Sequence, residues 1–211
     1  MRRDINDYSL YVFDLDGTLY DQRRLRMKMG IRLIGYYMLH PFGIKELLGI
    51  MRFRAVKDRS QSAYEPDMIN QAAQDVKMDP KKLYAAVRKW IYELPLSLLY
   101  EERDERLIAF MDELRKRGKK VVVLSDYPAA DKLAALSVTA DGIYDPDDPR
   151  IDELKPSPKG LLTVMADCGV SPEETLMIGD REEKDGMCAS AAGSDSLILC
   201  RNIRKRRSYE K

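Results

Sequence analysis

Two carboxylates, Asp14 and Asp16, stand two positions apart where an apolar run gives way to Gly17-Thr18, in the stretch Tyr11-Val12-Phe13-Asp14-Leu15-Asp16-Gly17-Thr18-Leu19-Tyr20. Alternate residues of an extended segment share a face, so both could address one ligand as a strand ends. A carboxylate there could act as a nucleophile, carry a proton or bind a hard metal ion. The same residues also suit a polar turn after an edge strand, with Gly17 supplying a positive φ. An EF-hand calcium loop does not fit: it needs further ligands and a Glu at its twelfth position, and Arg23, Arg24 and Arg26 occupy that neighbourhood.

Three more clusters have the same form. Val121-Val122-Val123-Leu124 is an unbroken apolar run of the kind buried on both faces of a parallel sheet, and it ends in Ser125-Asp126. The Ser125 hydroxyl could donate to an anionic oxygen beside helix N–H groups, or cap the helix that follows. Lys155 lies in Leu154-Lys155-Pro156-Ser157-Pro158. Pro156 restricts its backbone to an extended form, so the cation leaves a defined position, either toward a phosphate and neighbouring carboxylates or into solvent. Thr175-Leu176-Met177-Ile178 runs into Gly179-Asp180, with Asp185 five positions on. Mg²⁺ takes hard oxygen ligands and needs only one or two carboxylates; an acidic helix start is the ordinary alternative. Together the four clusters place carboxylates, a hydroxyl and a lysine at the carboxyl ends of strands, where open α/β sheets bind ligands.

The elements that must hold them follow from periodicity. Leu25, Met29, Arg32, Leu33, Tyr36 and Tyr37 recur at helical spacing, and His40-Pro41-Phe42-Gly43 breaks the pattern. Helices are predicted over 44–55, 66–76 and from Asp79, as N-cap with Pro80 in the first turn, to about Tyr92. Leu94-Pro95-Leu96 is predicted to end this helical block. A charged helix over 102–116 precedes the Val121 strand. A further helix, a strand near Ile143-Tyr144, a helix over 158–167, the Thr175 strand, a helix over 185–192 and a strand over 196–199 follow. Alternating strands and helices imply an α/β fold: a three-layer, Rossmann-like parallel sheet. The expected organisation is a core of residues 1–19 and 99–211 with an all-helical insertion, 20–98, directly after the first strand.

Composition bounds the function. The 211 residues are 45% hydrophobic and 34% charged, as in a globular protein long enough to bury a real core. A net charge of +1 gives no general bias toward nucleic acid, and no nucleic-acid partner is expected. Residues 21–60, however, hold ten Lys/Arg against three Asp/Glu, a local +7. Interleaved with Leu33, Ile34, Tyr36, Tyr37, Met38, Leu39 and Phe42, these cations could attract an anionic substrate, touch anionic lipid, or form a solvated helix face. The tail from Arg201 to Arg207 reads as a solvated end or an anion contact. The acidic segment 141–150 reads as a surface loop. Cys168, Cys188 and Cys200 show no metal-like spacing and suggest free thiols in a reducing compartment. Met1-Arg2-Arg3-Asp4 runs into charged and polar residues, so no signal peptide is expected, and the 12-residue stretch Leu33–Ile44 is too short to span a bilayer; a cytoplasmic location is expected. His40, the single histidine, is expected to sit at a helix end, which leaves little room for histidine-based phosphatase chemistry.

With these residues in this order, the sequence resembles the haloacid dehalogenase-like superfamily. Asp14-Leu15-Asp16-Gly17-Thr18 matches its first motif, Ser125 its second, Lys155 its third, and Gly179-Asp180 through Asp185 its fourth. The resemblance covers residues 8–20 and about 100–200. It implies that the helical insertion is a type 1 cap, as in phosphoglycolate-phosphatase-like members. It implies a Mg²⁺-dependent phosphatase acting on a small phosphate monoester. In that reading Asp14 is the nucleophile, forming an aspartyl-phosphate, and Asp16 protonates the leaving oxygen and then activates water. Ser125 and Lys155 hold the phosphate oxygens. Asp14, the Asp16 backbone carbonyl and Asp180 surround Mg²⁺, with Asp185 as ligand or anchor. Superfamily dehalogenases act without Mg²⁺ and lack the second aspartate, so Asp16 argues for phosphate chemistry. A phosphomutase using the same intermediate, and a non-catalytic membrane-peripheral or anion-binding protein on the same fold, are the rival readings. Tyr20 at the cap linker, Asp126 where many relatives carry Asn, and the charged run Arg181-Glu182-Glu183-Lys184 depart from the usual pattern.

Overall fold

The strands β1 (Leu10–Phe13), β2 (Lys120–Leu124), β3 (Gly142–Tyr144), β4 (Thr175–Gly179) and β5 (Asp195–Ile198) form one parallel sheet in the order β3-β2-β1-β4-β5. A computed structural model describes residues 4–40 and 43–206. The first three residues of the charged N-terminus, Pro41 and Phe42 of the predicted break, and Arg207 of the basic tail lie outside them. β1 is central and wholly buried. Phe13 lies opposite both Val123 and Ile178, so the chain leaves all three central strands at one edge, carrying Asp14, Ser125 and Asp180 with it. Alternation divides the apolar side chains between two cores. Tyr11, Phe13, Val121, Val123, Leu176 and Ile178 face one; Leu10, Val12, Val122, Leu124 and Met177 face the other. Burial on both sides is why these strands read as continuous apolar runs rather than alternating ones.

The larger core continues into the helices inserted after β1: α1 (Gln22–Leu39), α2 (Ile44–Arg59), α3 (Glu65–Val76), α4 (Pro80–Val87) and α5 (Leu96–Glu102). Asp21 caps α1 by accepting the Arg24 N–H, and Asp79 caps α4 by accepting those of Lys81 and Lys82, each satisfying donors that a helix start leaves open. His40 sits at the end of α1, as expected, with its ring stacked on Tyr36.

Several boundaries differ from the sequence reading. Past Val87 the helix widens into a π-helical turn over Arg88–Glu93, which buries Trp90 and Ile91. Leu94-Pro95-Leu96 does not end the helical block. Pro95 stands at the start of α5, where its missing N–H has no partner to lose. The helix expected from 102 begins instead as α6 (Glu105–Lys116), because Asp104 accepts the Leu107 N–H and fixes the start there. The core is completed by α7 (Ala130–Leu136), α8 (Lys159–Cys168) and α9 (Met187–Ala192). Asp185 precedes α9, in a π-helical turn over Glu182–Gly186. The acidic 141–150 segment is only partly a surface loop: Asp145 is buried and accepts the N–H groups of Ala129 and Asp147 at 2.7 and 2.9 Å.

The basic tail also departs from expectation. Arg206 is buried, and its guanidinium donates to Asp104 (2.9 Å), Thr18 O (2.6 Å), Gly17 O (2.7 Å) and Cys200 O (2.7 Å). It therefore ties the end of the described chain to the loop that follows Asp16. Removing one member of a buried, hydrogen-bonded ion pair leaves the other charge uncompensated, at a cost of about 3–5 kcal/mol. Arg206→Ala should lower unfolding stability by about that amount in urea titrations, and a loss below about 1 kcal/mol would contradict this role.

Candidate active site

The site is built around Asp14, at the carboxyl end of the central strand. Its Oδ1 accepts from the Lys155 ammonium at 2.5 Å, and its Oδ2 from the Thr18 hydroxyl at 2.8 Å. Lys155 Nζ also donates to Asp185 at 2.7 Å and lies 3.4 Å from Leu124 O, with only 3% of the residue exposed. The turn after β1 brings its backbone against the fourth motif. Gly17 has φ +99°, and a Cβ there would lie 2.8 Å from Asp180 Oδ2. A Cβ on Gly179 would overlap the Asp185 carboxylate. Glycine at these two positions is a packing requirement of the site.

Asp14, Asp180 and Asp185 bring carboxylate oxygens within 4.8 Å of one another. All three are buried, and Asp180 Oδ1 has no hydrogen-bond partner. Burial, opposed by Lys155 but reinforced by Asp185 and Asp180, pushes Asp14 up to about 8. Burial and Asp185 also raise Asp180, against Arg201 and Lys155. Lys155 is held well above its ordinary range: burial lowers it, but Asp14 and Asp185 outweigh that. One ammonium among three carboxylates leaves excess negative charge and one orphaned oxygen. A hard divalent cation fits that donor set.

Asp16 departs from the arrangement read from the sequence. Its carboxylate does not join the Asp14–Asp180–Asp185 group. It accepts from Lys132 Nζ at 2.6 and 2.7 Å and from the Tyr20 hydroxyl. Burial pushes Asp16 up, but Lys132 and Tyr20 together hold it below the ordinary carboxylate range. Lys132 lies on α7 and Tyr20 at the entry to the insertion, so the two carboxylates diverge toward different cations. Ser125 is buried, and its hydroxyl oxygen accepts the Tyr127 N–H at 3.1 Å. The side chain does not line the cavity above Asp14, although Asp126 and Tyr127 do. Asp126 in turn accepts the Lys155 backbone N–H at 3.0 Å, so it fixes the third-motif loop.

That cavity, about 860 Å³, opens between the sheet edge and the insertion. The insertion lines it with Arg23, Arg26, Arg54 and Lys57 against Asp58 alone among acids. Lys57 is 2% exposed, lies 4.3 Å over the Tyr127 ring and 3.6 Å from Glu65, and its Nζ has no hydrogen-bond partner. Of the charged run in the fourth motif, Arg181 reaches Asp58 of α2 at 2.9 Å, and Lys184 is buried and donates to Lys155 O at 2.5 Å. Arg201 lies 3.5 Å from Asp180 Oδ2. Lys132, Lys57 and Arg54 were not singled out as site residues by the sequence reading. Each is one cation on a charged helix, without a local pattern that marks it.

Residues 8–193 match the family of haloacid dehalogenase-like hydrolases. With this sheet and this cluster at its edge, the chain belongs to that family. No curated protein sequence matches it. Among solved structures, a magnesium-bound protein of Bacillus subtilis described as the HAD-hydrolase YfnB superimposes with a TM-score of 0.65 at 15% identity, covering 91% of this chain and 88% of that one. A 2-haloacid dehalogenase from Pseudomonas syringae gives 0.62 at 15%, with 91% and 86% covered. A HAD phosphatase from Thermococcus onnurineus gives 0.55 at 18%, with 96% and 90% covered. At these identities the likeness is one of fold, and both phosphatases and dehalogenases share it.

The raised Asp14 sets a sign for metal binding. The folded protein keeps a proton there up to about pH 8, whereas the unfolded chain releases it near 3.8. Folding therefore takes up a proton in that window, and this contribution to stability is lost as pH rises through it. The depressed Asp16 acts only below the window. Mg²⁺ competes with the proton, so its stabilising shift in melting temperature relative to EDTA should be larger at about pH 8.5 than at about pH 6. An equal or reversed shift would refute the assignment of the cation to Asp14, Asp180 and Asp185.

Proposed function

We propose that this hydrolase is a Mg²⁺-dependent phosphatase that cleaves a small phosphate monoester through an aspartyl-phosphate on Asp14. The observation that carries the reading is the pairing of a buried, cation-flanked nucleophile candidate with a second, separately held carboxylate, Asp16, at the floor of one cavity. A nucleophile alone would serve dehalogenation equally. The second carboxylate supplies what hydrolysis of an acyl phosphate needs, a base for water.

Asp14, Asp180, Asp185 and the Asp16 backbone carbonyl would hold Mg²⁺, which when bound neutralises negative charge on the phosphoryl oxygens. Asp14 attacks phosphorus, and the bond to the ester oxygen breaks as the Asp14–phosphorus bond forms. Lys155 donates to the transferring phosphoryl group and keeps the Asp14 region charge-balanced. Ser125, whose hydroxyl oxygen accepts the Tyr127 N–H away from the cavity lining, would donate to a phosphate oxygen only after its side chain turns into the cavity. Lys132 and Tyr20 hold the resting Asp16 carboxylate ionised, so it takes up the proton that a monoanionic phosphate ester brings into the cavity and gives it to the leaving oxygen. As the carboxylate held by Lys132 and Tyr20, it then takes a proton from the water that attacks the aspartyl-phosphate. Arg26, Arg54 and Lys57 favour an anionic substrate in the cavity. The helical insertion, residues 20–98, acts as the cap that selects it.

Two substitutions separate the roles. With Mg²⁺ and a panel of phosphate monoesters, Asp14→Asn should reduce phosphate release to background. Asp16→Asn removes both acid and base and should slow turnover of alkyl esters by about 10²–10⁴-fold; with p-nitrophenyl phosphate, whose leaving group needs no acid, it should still form the intermediate and give a burst of about one equivalent of p-nitrophenolate. Phosphate release that survives Asp14→Asn sinks the proposal. Transfer of the phosphoryl group to a second hydroxyl, without free phosphate, would assign a mutase instead.

A further inference from the structure

The first two helices of the insertion carry apolar rows that no described residue covers. On α1, Met27, Ile31, Ile34 and Met38 follow one another at helical spacing and are 62–78% exposed, with Leu39 at 81%. On α2, Ile44, Leu48 and Met51 repeat the pattern at 50–60% exposure. These eight residues are more than half of the 14 large apolar side chains exposed among the described residues. None of them lines the cavity. On α1 the row lies opposite the buried Leu25 and Met29, as 100° per residue requires. The two rows approach the same corner, where Leu39 ends α1 and Ile44 begins α2.

Cations border the rows. Arg24 stands beside the start of the α1 row, and Lys45, Arg52 and Arg59 recur every seven residues beside the α2 row. Arg24 pairs with Glu102 and Arg52 with Asp75, but Lys45 and Arg59 form no ion pair among the described residues. Lys45, Arg52 and Arg59 each lie within about 100° of the row's centre on the helical wheel. An apolar stripe with a basic flank suits the boundary between acyl chains and anionic headgroups. A second copy does not suit it, because apposed rows would bring both sets of arginines and lysines together. No described helix is long and apolar enough to cross a membrane, so the contact is one of lying on the surface.

We infer that the exposed rows of α1 and α2 dock on an anionic lipid bilayer, with Met38, Leu39 and Ile44 entering the interface and the cavity left open to the aqueous side. This does not rest on the phosphatase reading, and its test has its own readout. The purified full chain is floated with phosphatidylcholine vesicles with and without about 30% phosphatidylserine. Binding should be at least about tenfold stronger to the anionic vesicles and should weaken as salt is raised. The double substitution Met38→Glu/Leu39→Glu should cut binding at least about tenfold, with an unchanged melting curve showing that the fold persists. Lys45→Glu/Arg59→Glu should weaken anionic-vesicle binding while leaving the apolar rows intact. Failure to bind anionic vesicles, or equal binding to neutral ones, overturns the inference. So does a dimer by light scattering that Met38→Glu/Leu39→Glu dissociates, without vesicle binding, since a second copy would then cover the face.

Discussion

The site depends on the placement of one buried ammonium. Lys155 bridges Asp14 and Asp185 at 2.5 and 2.7 Å, with the third carboxylate, Asp180, beside them. Two unlike charges in a buried site attract far more strongly than in water, but burying each is costly. Lys155 offsets part of the repulsion among the aspartates, and not all of it. The remainder appears as the raised Asp14 and Asp180 and as an unsatisfied Asp180 oxygen. The geometry is therefore one of deliberate shortage: enough positive charge to let the strands close on one another, too little to neutralise the rim. A divalent ion and an anionic phosphoryl group complement one another in such a place.

That shortage has to be held against the tendency of the loops to relax. The backbone after Asp14 passes so close to Asp180 that only glycine fits at position 17. Arg206, arriving from the far end of the described chain, binds the carbonyls of Gly17 and Thr18 while neutralising Asp104. The residue that caps α6 thus also anchors the arginine that pins the loop after Asp14. Lys184 donates to the Lys155 carbonyl, and Asp126 accepts its N–H, so the third-motif backbone is fixed on both sides. Rigid support of this kind keeps the Asp14 carboxylate at a constant distance from its partners.

Much of this was legible in the sequence, for stated reasons. Buried parallel strands appear as apolar runs such as Val121–Leu124, and turn chemistry marks where they stop. Asp14, Lys155, Asp180 and Asp185 were readable because each directly follows, or sits in a proline- or glycine-marked loop near, a strand end. Contacts between distant segments were not readable. Lys132 reaches Asp16 across 116 positions, and Arg206 reaches Gly17 across 189. Nothing local distinguishes either from a solvated cation. The same holds for Asp145, whose acidic neighbours suggest a loop while its own carboxylate receives the Ala129 N–H at the start of α7, the helix before it. Pro95 misled for a related reason: proline ends one helix and begins another with equal ease, and only packing decides.

The insertion shows why α1 and α2 were the hardest segments to interpret. A helix that serves one core has an apolar stripe and a polar back. Here Leu25 and Met29 bury inward, Arg23 and Arg26 turn to the cavity, and Met27, Ile31 and Ile34 face out. Three demands on one helix erase the simple contrast between faces, so periodicity finds the helix without finding its function. The local +7 of residues 21–60 divides in the same way. Arg26, Arg54 and Lys57 belong to the cavity, Arg24, Lys28 and Arg52 are paired with acids, and Lys45 and Arg59 remain on the outer flank. A charge count alone cannot separate substrate attraction from surface attraction. The fold separates them by place: Arg26, Arg54 and Lys57 line the same cavity as Asp14 and Asp16, and none of the exposed apolar residues of α1 and α2 does.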